Sequence, residues 1–292
     1  MVAREAWRDG SLPFTPRRTW LVSAVPNTLR VGFVEGLLLP VTIGFVVALI
    51  ATPAGVSGAF LLLPVQMSVL HFVAPAVSPT NLLFNVIATP AGIISYQRES
   101  RLDWDLTRVV IAGTTPGIVV GAFIRIRYLG DPQSFKIFVG IVLLALAIKL
   151  WLEVTGGVTG DETRAPEWMH KRGVVFSLAG CVGLIGGIYG IGGGAIIAPF
   201  FVAVVGLSIY SVAGAALAST LVTSLVGLAT FRVLGVSPDW LLGSLFGIGG
   251  AAGSYVGARA QQKLAERGIK ALLAVMVGSL GLSYVLSSFG HR

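Results

Sequence analysis

Glycines concentrate at one point of an apolar stretch in the second half of the chain. Four of them precede Pro199, namely Gly190, Gly192, Gly193 and Gly194. Glycine inside a helix costs about 1 kcal/mol relative to alanine, so this density predicts that the helix is interrupted. Interruption frees backbone N–H groups, and these attract anions together with the dipole of the following helix. The chemistry that these residues predict is non-covalent binding of a small anion, with close helix packing as the alternative.

A weaker copy of this cluster lies 135 residues earlier and comprises Gly55, Ser57 and Gly58, before Pro64. The order Gly-x-Ser-Gly also occurs in intramembrane serine proteases, whose serine needs a nearby base. The nearest histidine, His71, lies beyond Pro64, and the second copy has Gly192 in place of Ser57. We therefore assign Ser57 to the glycine cluster and expect no catalytic residues and no enzyme activity.

Neutral polar residues follow each glycine cluster. They are Gln66, Thr80, Asn81 and Asn85 in the first half, and Thr220 and Ser224 in the second. Asn81 and Asn85 are four residues apart and therefore share one helix face. An amide in an apolar span is unfavourable unless it meets a partner, water or a ligand. We expect these side chains to line the anion's path with the glycines; hydrogen bonding between helices is the alternative.

The apolar spans contain almost no ionisable residue. Proton relays and carboxylate sodium sites normally need Asp, Glu or His within the membrane, so facilitated anion transport, or movement of a protonated substrate, fits better. One cysteine and three scattered histidines predict no disulfide framework and no metal site. We expect no cofactor.

The elements that would position these residues are membrane helices. The chain has 292 residues, of which 54% are hydrophobic and only 12% charged, and its mean hydropathy is +0.85. A soluble domain carries about 25% charged residues, so the composition excludes a soluble enzyme. The net charge of +8 comes from basic residues crowded into the N-terminal segment and short connections. That pattern is typical of membrane-protein loops rather than of nucleic-acid binding.

The sequence repeats itself at an interval of 135 to 136 residues. Asp103-Trp104 corresponds to Asp239-Trp240, and three glycines spaced four apart follow in both halves. We predict an N-terminal basic segment (1–35), a first repeat (36–153), a polar linker (154–172) and a second repeat (173–288). The fold class is an all-α polytopic membrane protein with two homologous multi-helix repeats and glycine-broken helices. Basic connections after equivalent helices favour four crossings per repeat, about eight in total. A hairpin at each glycine cluster would instead make the count odd and the repeats inverted.

The run Gly-Ile-Gly-Gly-Gly-Ala-Ile-Ile-Ala-Pro at 190–199 resembles the signature of the sulfite exporter TauE/SafE family, also called toluene-sulfonate uptake permeases. The resemblance extends to the first copy, to both Asp-Trp pairs and to the glycine-rich helices after them. Thr80-Asn81 matches a motif that family members carry after the proline, whereas Gly214-Ala215-Ala216 has lost its hydroxyl groups. The resemblance implies transport of sulfite, sulfonates, sulfoacetate or related organic anions.

We therefore expect a multi-pass permease of the cytoplasmic (inner) membrane that moves a small sulfur-containing or carboxylated anion. Its partners would be the lipid bilayer and that anion, not nucleic acid, and association into a homodimer is left open. An anion channel is the nearest alternative. From other classes, an intramembrane enzyme and an assembly scaffold remain alternatives.

Overall fold

The computed structural model describes residues 33–68, 76–127, 132–155, 172–189, 192–202 and 207–289. These ranges form helices and short connections, without a strand among them. The helices are α1 (Phe33–Ala51), α2 (Ala59–Ser68), α3 (Val77–Arg98), α4 (Trp104–Arg127), α5 (Pro132–Thr155), α6 (Arg172–Tyr189), α7 (Ile197–Phe200), α8 (Ile209–Val233), α9 (Trp240–Ala260) and α10 (Glu266–Phe289). Most of the predicted basic segment and linker lies outside the described residues.

Six of the described helices are long and apolar enough to cross a membrane. Counted with the 3-10 turns that follow α1 and α9, the apolar stretches are Leu37–Ala54, Val77–Arg98, Trp104–Ile124, Ile209–Val233, Trp240–Lys263 and Glu266–Leu286. α5 and α6 contribute shorter apolar stretches, Leu143–Leu152 and Gly173–Ile188. The predicted all-α polytopic membrane fold is therefore confirmed, while the number of crossings, about eight, stays a prediction.

The chain reverses direction at the first glycine cluster. α1 ends in a 3-10 turn, Thr52–Ala54, and Gly55 follows with a left-handed φ of 66°. Three residues later the chain lies beside α1 again, since a Cβ on Gly58 would come within 3.1 Å of the Ala48 backbone nitrogen. α1 and α2 therefore form a hairpin whose second arm is the short helix.

The second cluster interrupts a helix in the same way. α6 ends at Tyr189, and a 3-10 turn over Gly193–Ile196 leads into α7. A Cβ on Gly193 would lie 2.9 Å from the Gly183 Cα, so here too the chain has turned back along the preceding helix, α6. The predicted interruption of helices at both glycine clusters is confirmed.

Rows of glycines let two pairs of helices approach closely. On α4, Gly113, Gly117 and Gly121 face carbonyl groups of α6, those of Phe176, Gly180 and Leu184. On α9, Gly249, Gly253 and Gly257 face carbonyl groups of α1, those of Val41, Phe45 and Leu49. Residue numbers rise together in each set, so α4 runs parallel to α6 and α9 parallel to α1. Each contact of one set recurs in the other at the interval predicted from the sequence.

The two long central helices, α3 and α8, cross in opposite directions. Asn85 contacts Ser224 near the middle, and Gly92, further along α3, faces Leu217, which is earlier on α8. α9 runs parallel to α3 and α4 parallel to α8, since their paired residue numbers rise together. Gly243 faces Thr80 and Gly92 faces Ser254 in the first pair, while Thr114 meets Ser219 and Ile118 meets Gly227 in the second.

Helices separated by the 135-residue interval consequently run in opposite directions: α1 against α6, α3 against α8, and α4 against α9. α1 and α3 share one direction although α2 lies between them, because α2 returns along α1. These directions favour the hairpin alternative, in which each half contains an odd number of segments.

Candidate functional site

A hydrogen-bonded cluster occupies the place where α3 crosses α8. The Ser57 hydroxyl donates to the Asn85 side-chain oxygen. The Asn85 Nδ2 group donates to the Ser224 hydroxyl over 3.1 Å. All three side chains are buried, with at most 1% of each exposed. The cluster joins the first hairpin, α3 and α8, so residues predicted from both halves meet at one point.

Gly192 belongs to the same cluster. Its φ of 85° is left-handed, a conformation that other residues adopt at a cost of about 1–2 kcal/mol. A Cβ at this position would lie 2.8 Å from the Ser224 Oγ, 3.3 Å from the Asn85 Nδ2 and 3.6 Å from a Thr220 methyl group. Backbone and side chains therefore approach here as only glycine allows. We call Ser57, Asn85, Gly192, Thr220 and Ser224 the central cluster.

The other predicted glycines serve the hairpins. A Cβ on Gly55 would lie 2.7 Å from the Ala213 Cα, and one on Gly58 would lie 2.9 Å from the Phe84 ring. Gly193 and Gly194 lie in the 3-10 turn before α7, while Gly190 lies outside the described residues. None of these contacts touches the central cluster directly.

Thr80 is occupied elsewhere. Its hydroxyl donates to the Ala76 carbonyl over 2.6 Å and accepts from the Asp239 backbone N–H over 2.9 Å. Asp239 in turn caps α9, since its carboxylate accepts from the Leu242 N–H over 2.9 Å. The structure therefore places Thr80 in the contact between the start of α3 and the start of α9.

Gln66 and Asn81 lie deep in the protein and have no hydrogen-bond partner. Both are fully buried, and neither the oxygen nor the nitrogen of either amide is bonded. Gln66 lies in the last turns of α2, and Asn81 lies one turn before Asn85 on α3. Their amides retain their full hydrogen-bonding capacity for a ligand.

The backbone amides at the start of α2 already have acceptors. Ala59 N–H donates to the Ser57 hydroxyl over 3.2 Å, and Phe60 N–H donates to the Ser57 carbonyl over 3.1 Å. The next two N–H groups donate to the Gly58 carbonyl. An anion at this helix start would compete with these bonds.

The electrostatics of the interior are neutral. Every buried polar side chain in the described ranges carries a hydroxyl or an amide group. The same ranges contain no group of three or more His, Cys, Asp or Glu side chains placed to hold a metal ion. An anion in the central cluster would be held by neutral donors alone.

A second hydroxyl pair lies next to the cluster. Thr114 on α4 and Ser219 on α8 are 2.9 Å apart, and Thr114 is also within 3.4 Å of a Cβ placed on Gly193. The Thr114 position was not predicted, although its neighbour Gly113 belongs to the row that brings α4 against α6. The position of this glycine row on α4 determines which way the neighbouring Thr114 faces.

Arg101 closes one end of the bundle. Its guanidinium bonds Glu99, the Gln261 side-chain oxygen and the Ala258 carbonyl, and it lies 4.6 Å from the Tyr96 ring centre. Two further bonds reach the first hairpin, from the Tyr96 hydroxyl to the Thr52 carbonyl (3.0 Å) and from the Gln261 Nε2 to the Pro53 carbonyl (2.7 Å). This polar clasp ties the hairpin tip to α3 and α9.

Comparison with known proteins shows the family of the chain. Residues 39–284 match the family model described as sulfite exporter TauE/SafE. A relative from Bacillus subtilis (strain 168), named "probable membrane transporter protein YunE", is 22% identical over 178 residues, which cover 54% of this chain and 64% of the relative. The match thus spans less than two thirds of the relative's length. No solved structure matches. Since the family model covers most of the chain, the protein is a multi-pass membrane protein that belongs to the sulfite exporter TauE/SafE family of transporters.

Proposed function

We propose that the protein is a permease that moves a small, singly charged oxyanion, such as hydrogen sulfite or a sulfonate, across the cytoplasmic (inner) membrane. The observation that carries this proposal is the central cluster. Neutral hydrogen-bond donors from both halves converge there at full burial, at the crossing of the two central helices. Family membership supports the sulfur chemistry of the anion.

The charge of the anion follows from the neutrality of the site. Transfer of an ion from water into a low-dielectric interior costs free energy that rises with the square of its charge. No buried cation among the described side chains offsets this cost. A singly charged oxyanion is therefore favoured over a doubly charged one, and the hydroxyl and amide groups replace part of its hydration shell.

We further propose that residues 36–153 and 173–288 are inverted repeats. Three observations support this: both glycine clusters turn the chain back, both glycine rows make equivalent contacts, and equivalent helices run in opposite directions. Inverted repeats with a shared site at their interface are an architecture of alternating-access transporters. Movement of one half against the other would expose the central cluster to each side in turn.

The alternatives are less well supported. A channel needs a continuous water-filled path, whereas the central cluster is fully buried. An enzyme needs a base beside its nucleophile, whereas the Ser57 hydroxyl donates to the Asn85 amide oxygen, which is not a base. The proposed activity is transport.

The test is uptake by the purified protein in sealed liposomes at several pH values. Sulfite uptake should saturate and should decrease as pH rises, because the doubly charged form then replaces the singly charged one. Methanesulfonate is singly charged throughout this range, so its uptake should change little and controls for effects of pH on the protein. Absence of uptake above that of protein-free liposomes for both anions contradicts the proposal. Sulfite uptake that rises with pH contradicts the preference for a single charge.

A further inference from the structure

The two unpartnered amides, Gln66 and Asn81, require an explanation of their own. Most buried polar side chains in folded proteins have hydrogen-bond partners, and an unpaired buried amide destabilises the folded state. Both amides are fully buried with oxygen and nitrogen unbonded. By contrast, Asn85, on the same face of α3, bonds both Ser57 and Ser224.

The positions of the two amides relative to the central cluster follow from the direction of α2. α2 begins directly after Ser57, which bonds Asn85. Leu62, one turn along, belongs to the hydrophobic cluster that includes Val47 and against which Ile43 packs, so α2 leads back along α1, away from the hairpin tip. Gln66 is one further turn along α2, and Asn81 is one turn nearer than Asn85 to the start of α3. Both amides therefore lie on the same side of the central cluster, toward the end of the bundle where α2 ends and α3 begins.

The second half has no equivalent of these amides. At the 135-residue interval, Phe201 corresponds to Gln66 and Ala216 corresponds to Asn81, and both are fully buried apolar side chains. Because equivalent helices run in opposite directions, the two stretches lead from the central cluster toward opposite ends of the bundle. These equivalent positions therefore carry amide side chains on one side of the central cluster and apolar side chains on the other.

We infer that Gln66 and Asn81 form a second anion-binding station, through which the transported anion passes between the central cluster and the α2–α3 end of the bundle. This inference rests on the proposed function. The amide N–H groups would replace water around the oxyanion before it reaches Ser57 and Asn85, and the amide oxygens would accept from the hydroxyl of a protonated oxyanion. The second half has no such station, so the barriers on the two sides of the central cluster are unequal.

The inference predicts an unusual combination of effects for Gln66→Met and Asn81→Leu. Each change removes an unpaired buried amide and keeps an apolar side chain of similar shape, so the unliganded protein should melt at a higher temperature. Sulfite uptake into liposomes should fall on the order of tenfold, the effect of one lost hydrogen bond to a charged group. Stabilisation by added sulfite should decrease but remain detectable, because the central cluster is intact.

Ser95→Ala is the matched control. Ser95 is also buried with an unpartnered hydroxyl, but it lies near the opposite end of α3 from Asn81. Its removal should likewise not lower the melting temperature, and it should leave sulfite uptake unchanged. The control separates loss of a station from a general effect of stabilisation on transport.

Two results would contradict the inference that Gln66 and Asn81 form an anion-binding station. One is a lower melting temperature of the unliganded Gln66→Met and Asn81→Leu proteins, which would show that the amides hold the structure together. The other is wild-type sulfite uptake by both variants while Asn85→Leu abolishes it, a result that leaves the proposed function standing. If the wild-type protein takes up neither sulfite nor methanesulfonate, the proposed function fails and the station fails with it.

Discussion

At the scale of single residues, Asn85 is the side chain on which the central cluster depends. It accepts from Ser57 and donates to Ser224, so Asn85→Leu leaves two buried hydroxyl groups with fewer partners. Each unsatisfied polar group costs about 1–3 kcal/mol. We expect a lower free energy of unfolding and the loss of sulfite-induced stabilisation, both measurable by thermal melting with and without sulfite. A variant that melts earlier but is stabilised by sulfite like the wild type would show that Asn85 is structural only.

Gly192 gives a second prediction at this scale, with a control that the chain itself supplies. Gly192→Ala introduces backbone strain of about 1–2 kcal/mol and places a methyl group 2.8 Å from the Ser224 Oγ. Gly235 also has a left-handed φ, 83°, but nothing lies within 4 Å of its Cβ position. Gly235→Ala should therefore lose stability and keep sulfite uptake, whereas Gly192→Ala should lose both. Equal uptake by the two variants would remove Gly192 from the site.

Much of the site could be predicted residue by residue, because its members recur at a fixed interval. Ser57 and Gly192 are equivalent positions, as are Asn85 and Thr220, and the structure brings all four together. Thr80 was also predicted, but its hydroxyl bonds Asp239, a contact across 159 residues that no local pattern reveals. The role of Arg101 depends in the same way on Gln261, which belongs to the other half.

At the scale of helices, the glycine rows make a quantitative prediction. A Cβ on Gly117 would lie 2.4 Å from a carbonyl oxygen of α6, and one on Gly253 would lie 2.1 Å from a carbonyl oxygen of α1. Backbone cannot yield as a flexible side chain does, so Gly117→Ala and Gly253→Ala should each lower the melting temperature strongly and to a similar extent. The measurement is thermal melting of each purified variant.

Gly180 provides the control for these rows. It belongs to the same interface as Gly117, but its nearest neighbour, the Gly113 carbonyl oxygen, is 3.6 Å away. Alanine fits at that distance and favours helix by about 1 kcal/mol over glycine. Gly180→Ala should therefore melt at or above the wild-type temperature. If all three variants melt alike, the rows do not set the helix spacing.

The direction of the helices was the feature that sequence could least decide. The interruption at each glycine cluster followed from composition, but whether the chain continues or turns back depends on contacts such as Gly58 with Ala48 and Gly193 with Gly183. The basic residues in the connections after α4 and α9 favoured placing both connections on the same side of the membrane. α4 and α9 run in opposite directions, however, so the last residues of these two helices lie at opposite ends of the bundle.

At the scale of the whole molecule, inverted repeats predict where equivalent connections lie. Ser100 and Gly235 are 135 residues apart, both exposed and both left-handed, with φ of 55° and 83°. In a Cys181→Ser background, which removes the chain's one cysteine, Ser100→Cys and Gly235→Cys should react with a membrane-impermeant maleimide from opposite sides of sealed vesicles. Reaction of both from the same side would show that the repeats are parallel.

The most direct test of the central claim is to locate the anion. Selenite, the selenium analogue of sulfite, is visible by anomalous scattering in crystals of the protein. The account predicts an anomalous peak for selenium in the central cluster. The oxygens of that selenite should lie within about 2.7–3.2 Å of the Asn85 Nδ2 or the Ser224 Oγ. The Asn85→Leu protein should lose this peak. A peak only at basic side chains at the helix ends, with the central cluster empty, would contradict the account.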